Sequence, residues 1–365
     1  MAIQIDDDIR AQMRPSAAAL EPYDPKFSPV EVNLSANENS FGMPDELRQA
    51  VTQAVSEVAF NRYPQALAPE LRAELASWHG VDADHVIVGN GGDELLFNLF
   101  LAFGGRGHVL VNCPPAFSVY ELYASLVETG VANVSRDPVS FVPDVDAMVQ
   151  DASRASLVVV TSPNNPTGDL FPRDAVPRLC EACPGVVLVD EAYIEFADPG
   201  STVEDLLGSY KNLAILHTFS KAFALASARV GYVLADPSVI GALSAVRQPY
   251  SVNSLSQAAA LAVLRRRDKM APIVQQIRRG REELFSQLKT LAPLGVTVWP
   301  SQSNFLLVRV PNAHHVWERL RDEHSILVRD FSSAPGLSDC LRITVGTPEE
   351  NERVVKALQE LLGKE

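Results

Sequence analysis

The sequence predicts an α/β protein: a large domain with a mostly parallel sheet flanked by helices, followed by a smaller α+β domain. Three observations carry that expectation. Short apolar runs rich in β-branched residues alternate with longer helical patterns through the middle of the chain. Near-continuous apolarity marks strands covered on both faces, the habit of a parallel sheet between helices. After Pro249 the pattern changes to one long helical stretch and then separate strand candidates. Finally, 365 residues is long for a single core, and 47% hydrophobic residues supply material for two.

In chain order, residues 1–40 read as an N-terminal arm. It carries Asp6-Asp7-Asp8 and Pro15, Pro22, Pro25 and Pro29, and is expected to wrap over the small domain or a partner. It has none of the apolar core of a signal peptide. Residues 41–248 form the large domain. Its strand candidates are Val86–Val88, His108–Val111, Leu157–Val160, Val186–Val189, Leu213–Leu216 and Val230–Leu234, with helices at Asp93–Phe103 and Ser118–Thr129. Residues 249–365 form the small domain. A helical stretch over about 254–291 is followed by strands at Val296–Trp299, Phe305–Val310, Ile326–Arg329 and Leu341–Val345. Helices at His314–Glu323 and Pro348–Leu362 lie among and after them.

The net charge of −14 repels a polyphosphate backbone, so nucleic acid is not expected as a partner. No stretch is long and apolar enough to span a membrane, and a cytoplasmic protein is expected. Four cysteines fit ordinary buried thiols in a reducing compartment. Cys180 and Cys183 form a CxxC pair, but no second pair or nearby histidine completes a zinc set, so no metal site is expected.

The chemistry is concentrated in two segments. Val186-Val187-Leu188-Val189 delivers Asp190-Glu191-Ala192-Tyr193 to a strand end. Thr218-Phe219-Ser220-Lys221 follows, with Arg229 two helical turns further on. A carboxylate at the end of an apolar strand is costly to bury without a partner. A protonated pyridine nitrogen is such a partner, and a buried acid there keeps the ring cationic and electron-accepting. Lys221 stands between Phe219 and Ala222-Phe223, where burial favours the neutral amine that attacks carbonyls. The set matches the nitrogen, phenolic oxygen, aldehyde and phosphate of pyridoxal 5′-phosphate, with Lys221 as covalent anchor. Taken alone, Asp190 reads more readily as a helix cap; a lysine usually lies on the surface, but the apolar stretch around Lys221 disfavours that.

Three further segments complete such a site. Gly91-Gly92-Asp93-Glu94 follows a strand and opens a helix, where free N–H groups and the helix dipole favour an anion. It fits neither GxGxxG nor GxxxxGK[ST]. With Thr218, Ser220 and Arg229 it makes a phosphate cup, in which the guanidinium supplies a fork of donors. Ser162-Pro163-Asn164-Asn165-Pro166-Thr167-Gly168 is a rigid loop at a strand end, where α/β proteins bind ligands, and Asn165 can donate to the phenolate oxygen beside Tyr193. Phe117, in Cys113-Pro114-Pro115-Ala116-Phe117, is either a core aromatic or a ring stacked on the pyridine.

These segments resemble the fold-type I pyridoxal-phosphate aminotransferases, and within them the histidinol-phosphate aminotransferase group. The likeness extends over Leu34-Ser35-Ala36-Asn37-Glu38-Asn39, Asn61-Arg62-Tyr63-Pro64, Pro249-Tyr250-Ser251-Val252-Asn253, Ser303-Asn304-Phe305 and Leu341-Arg342-Ile343-Thr344. The resemblance implies Lys221, Asp190 and Tyr193 as catalytic groups. It implies Gly92, Asp93, Thr218, Ser220 and Arg229 on the phosphate, Asn165 on the phenolic oxygen, and a homodimer in which Tyr63 reaches the neighbouring subunit's phosphate. Arg342 would receive the acidic tail of the substrate, with Arg329 and Tyr23 as further contacts. Phe117 departs from the group's usual tyrosine. Ala226-Ser227-Ala228-Arg229 departs from its usual Ala-Gly-Leu-Arg.

The expected reaction moves an amino group between glutamate/2-oxoglutarate and a second pair, with histidinol phosphate and imidazole acetol phosphate favoured. An aromatic amino acid is the competing substrate. Decarboxylation of an O-phospho amino acid is the competing reaction, because bond choice depends on which substituent stands perpendicular to the ring. A non-catalytic protein on the same fold predicts a degraded site.

Overall fold

The computed structural model describes residues 5–20 and 28–363. Tyr23 and the stretch of arm around it lie outside the described residues. The strands, in chain order, are β1 (Val32–Leu34), β2 (Val86–Asn90), β3 (Val109–Asn112), β4 (Gly130–Asn133), β5 (Leu157–Thr161), β6 (Val186–Asp190), β7 (Leu213–Thr218), β8 (Val230–Ala235), β9 (Thr297–Val298), β10 (Phe305–Arg309), β11 (Ile326–Asp330) and β12 (Cys340–Thr344).

Seven strands form one sheet in the order β2-β8-β7-β6-β5-β3-β4. The run from β4 to β7 is parallel throughout. Only β8 runs against its neighbours, pairing antiparallel with both β2 and β7. A parallel neighbour needs a crossover of a dozen or more residues, but an antiparallel one does not. The chain therefore passes from β7 to β8 through residues 219–229 alone, and that short link carries Lys221 and Arg229.

Side chains alternate across each strand. Val187, Val189, Leu213 and Ile215 pack into one hydrophobic cluster, and Val186, Leu188, Ala214 and Leu216 into another on the opposite face. The apolar runs are thus buried twice over, as a sheet between two helical layers requires. The same alternation directs Asp190 and Thr218 to the face of Val186 and Ala214. It directs His217 to the face of Leu213 and Ile215.

The second sheet has five strands in the order β1-β11-β12-β10-β9. Its edge strand β1 comes from the beginning of the chain and lies parallel to β11, with Val32 opposite Ile326. The N-terminal segment therefore joins this sheet.

Several elements differ from the sequence reading. The helical stretch over 254–291 is two helices, Ser254–Leu264 and Ala271–Lys289, separated by a 3₁₀ turn at Arg267–Met270. Asn253 caps the first, its side chain accepting from the Ser256 N–H, and Pro272 suits the opening turn of the second. The strand β4 and the helices Asp45–Ser56, Pro69–His79, Val145–Ala152, Ala175–Ala182 and Pro237–Val246 had no expectation attached. β4 opens on a glycine and lies mostly exposed, so it lacks the apolar run that marks its neighbours. The helix opening at the Gly-Gly turn begins at Gly91 itself. No helix among the described residues is long and apolar enough to cross a membrane.

Candidate active site

The C-terminal ends of β5, β6 and β7 lie side by side, with Thr161 opposite Asp190 and Asp190 opposite Leu216. Ligands of open α/β sheets bind outside this edge. Asp190 is 4% exposed and accepts hydrogen bonds from the Tyr120 hydroxyl at 2.6 Å and the Ala192 N–H at 3.0 Å. Burial outweighs those donors and pushes its carboxyl up to about 6. The chain thus buries an acid that has hydrogen-bond donors but no ion pair among the described residues, which is what a cationic ring nitrogen would complete.

Lys221 lies half-buried, and its Nζ donates to the Ala36 carbonyl at 2.9 Å. Burial first, and the Arg342 guanidinium next, hold the amine down at about 8, against the opposing pull of Glu38 and Asp93. The amine is 5.9 Å from the centre of the Tyr193 ring. Tyr193 is buried, packs edge-on against Phe305 and accepts from the Asn37 side-chain amide at 2.9 Å. Burial raises its phenol above the usual range. Lys221, Asp190 and Tyr193 are therefore gathered at one place.

The residues expected to cup a phosphate meet at the first turn of the helix Gly91–Phe103. Arg229 donates to the Asp93 carboxylate at 3.0 Å and lies 3.5 Å from the Ser220 hydroxyl. Thr218 and Ser220 are buried and joined hydroxyl to hydroxyl at 3.0 Å. A Cβ on Gly91, whose φ is +80°, would meet Arg229 Nη2 at 2.6 Å, and one on Gly231 would meet the Gly92 nitrogen at 2.7 Å. The backbone of β8 thus presses directly against the helix start, and only glycine admits the approach. Arg229 does not follow a helix, as its spacing from Lys221 suggests. It comes after a 3₁₀ turn, Ala226–Ala228, and takes φ +53° itself. A left-handed backbone at an arginine is costly, and such positions persist where surrounding structure holds them at functional sites.

The far wall comes from the second sheet. Arg342 on β12 is 7% exposed and donates to Asn165 Oδ1 and to the Ser35 carbonyl, both at 2.6 Å. Asn165, in the middle of its loop, is buried and keeps its NH₂ group as a donor. Arg329 on β11 stands directly opposite Arg342 in the antiparallel pair and is half-buried. Phe117 is half-buried and meets Tyr120 edge-on at 5.7 Å. Tyr63 is not drawn into this cluster. It is 82% exposed and stacks on Tyr250 at 4.9 Å.

Two participants escaped the sequence reading. Tyr120, which joins Asp190 to Thr161, is an interior residue of the helix Val119–Leu126 and reads there as core. Asn37 has φ +55° and ties Tyr193 to Thr344, while its carbonyl accepts from Asn304. Its segment carried the family likeness, but nothing in its spacing tied it to a phenol 156 residues away. The paired cysteines are ordinary core: Cys180 and Cys183 are buried, and burial pushes both thiols up, that of Cys180 to about 12.

A sheet edge holding an acid, a depressed amine and a cup for an anion defines a class of group-transfer enzyme. Residues 29–358 match the profile of the family described as "Aminotransferase class I and II". The chain belongs to that family, and the expectation of a pyridoxal-phosphate-dependent aminotransferase stands. It is 38% identical over 365 residues to the histidinol-phosphate aminotransferase of Desulfitobacterium hafniense, covering 97% of this chain and 98% of that one. It is 37% identical to the enzyme so named in Thermoanaerobacter pseudethanolicus, covering 93% and 95%. The crystal structure of the histidinol-phosphate aminotransferase from Sinorhizobium meliloti in complex with pyridoxal 5′-phosphate superposes with a TM-score of 0.87 at 25% identity. It covers 97% of this chain and 98% of that one.

Proposed function

We propose that this chain binds pyridoxal 5′-phosphate at the edge of β5–β7 and transfers an amino group between glutamate/2-oxoglutarate and histidinol phosphate/imidazole acetol phosphate. When bound, the cofactor supplies an electron sink for the bond broken at the substrate α-carbon. Asp190 holds the ring nitrogen protonated. Asn165 and Tyr193 donate to the phenolic oxygen, and Phe117 covers the ring. The N–H groups of Gly92 and Asp93, with Thr218, Ser220 and Arg229, hold the phosphate. Lys221 anchors the cofactor, and once freed by substrate its neutral amine takes the proton from the α-carbon.

The observation that carries the substrate assignment is the cross-strand pair Arg329–Arg342. Like charges placed opposite one another on a sheet repel. A dianionic substrate turns that repulsion into attraction, and a carboxylate or phosphate accepts an arginine fork. Both relatives described above carry the name of the same activity. A half-reaction screen tests the reading: histidinol phosphate and glutamate are expected to convert the bound cofactor to its amine form faster than phenylalanine or tyrosine. Preference for the aromatic amino acids, or release of CO₂ from an O-phospho amino acid, would replace this assignment. Arg329→Ala should raise KM for histidinol phosphate about 10–100-fold, the worth of a charge-assisted hydrogen bond, with a smaller effect on glutamate.

The depressed amine gives a pH signature. Below about 8 the neutral fraction of Lys221 falls about tenfold per pH unit. Uptake of pyridoxal phosphate by cofactor-free protein should therefore accelerate about tenfold per unit towards that pH and level off above it. Stopped-flow absorbance measures this, and a flat profile between pH 6 and 8 would contradict an amine held at about 8. The catalytic unit is a homodimer in this proposal, which the exposure of the Tyr63 ring, away from this chain's own site, supports. The domain division at residues 40 and 248 accompanies it, and the cytoplasm is its compartment.

A further inference from the structure

Behind the cofactor edge, on the opposite face of the sheet, lies a second polar cluster that the transamination reading does not use. His217 precedes Thr218 on β7, and Glu191 follows Asp190 after β6. His217 is 2% exposed and Glu191 is fully buried. His217 Nε2 is 3.6 Å from Glu191 Oε2 and 3.4 Å from Glu204 Oε1. Neither ring nitrogen of His217 has a hydrogen-bond partner among the described residues. Buried imidazoles left in that state are rare, and each such group asks for a ligand or another explanation.

The three atoms are disposed like a coordination shell. One ligand atom from each of Glu191, Glu204 and His217 lies within 4.8 Å of the other two. Tetrahedral zinc with bonds of about 2.0–2.2 Å sets its ligands roughly 3.3–3.6 Å apart, and both histidine–carboxylate separations fall there. The carboxylates are already oriented by a second layer of hydrogen bonds. Glu191 accepts from the Thr202 hydroxyl at 2.7 Å and the Val203 N–H at 2.8 Å. Glu204 Oε2 meets His79 Nδ1 at 2.8 Å, and His79 Nε2 meets the Tyr232 hydroxyl at 2.9 Å. Outer partners of this kind are what fix metal ligands in place. Two carboxylates and a neutral imidazole also balance one dication, the charge state a low-dielectric interior favours. On the open side lies a cavity of about 300 Å³ whose walls include Trp78, Ser201 and Arg278. It leaves room for a fourth, exchangeable oxygen ligand.

We propose that Glu191, Glu204 and His217 form a zinc(II) site with one open position. The sequence conceals it, because the three ligands come from segments separated by 13 residues or more and show none of the usual metal-binding spacings. Two of the ligands adjoin Asp190 and Thr218 along the chain, so the ion fixes the backbone behind the cofactor groups.

The test uses holoenzyme freed of metal by chelator and titrated with zinc chloride against a colorimetric zinc indicator. One zinc per chain is expected, together with a higher Tm, since a ligand that binds only the folded state stabilises it. His217→Gln and Glu204→Gln should each weaken uptake by at least about 100-fold. The visible absorbance of the bound cofactor should persist in both, which shows that the fold survives. X-ray absorption at the zinc edge should show nitrogen and oxygen ligands without sulfur. No uptake at micromolar zinc, undiminished uptake in both variants, or loss of uptake in His85→Gln instead would overturn the assignment. The last result would place the ion on the exposed Asp82–Asp84–His85 group.

Discussion

Replacing Lys221 by alanine is expected to abolish turnover, with kcat reduced by about 10⁴-fold or more. Positioned proton transfer alone contributes about 10²–10⁴-fold, and the variant also loses the covalent attachment that centres the ring between Asp190 and Tyr193. Lys221→Arg should be as inactive. An arginine keeps the charge but does not lose its proton in a protein, so it supplies neither the attacking amine nor the base. The pair separates basicity from charge. Single-turnover absorbance with glutamate is the measurement, and appreciable turnover by either variant would remove this lysine from the reaction.

Asp190→Asn should reduce kcat by about 10²–10³-fold, the usual loss when a buried group facing developing charge is removed. An amide cannot hold the ring nitrogen protonated. The same substitution should have the opposite sign in the cofactor-free protein. Burial raises the Asp190 carboxyl to about 6, above its ordinary value of 3.8. For an acid raised on folding, the ionised form destabilises the fold. That cost is absent below the unfolded value, grows as pH rises through the window between 3.8 and 6, and is full above it. At pH 7 cofactor-free Asp190→Asn should therefore be more stable than the parent, by up to about 3 kcal/mol. With cofactor bound it should be less stable. Denaturant melts of both forms at pH 4 and pH 7 decide the matter: the variant's advantage should shrink towards zero at pH 4, and only in the cofactor-free pair.

The strands of the large sheet were legible because both their faces are apolar, and the groups of the site because they sit where those runs stop. Asp190, Thr218 and Asn165 each fall at or just beyond a strand end. The direction of β8 was not legible: Val230–Leu234 is as apolar as the parallel strands of the same sheet, since burial on two faces says nothing of the direction in which a strand runs. Exposed or short elements such as β4 and β1 left no pattern. Tyr120 and Asn37 were hidden for another reason. Their roles depend on tertiary contacts with Asp190 and Tyr193, and local periodicity records none of these. The Arg329–Arg342 pairing belongs to the same kind, being a matter of strand register.

The turn from β7 into the reversed strand β8 has a consequence for how this protein tolerates change in length. Surface connections accept insertions readily, since doubling a flexible loop adds only about 0.6 kcal/mol of closure entropy. Residues 219–229 have no such freedom. An added residue would displace the buried Phe219, Ala222, Phe223 or Leu225, and it would shift Arg229 out of its left-handed turn and away from Gly91, where its guanidinium is already in contact range. In that span the spacing between two side chains is as constrained as their identities.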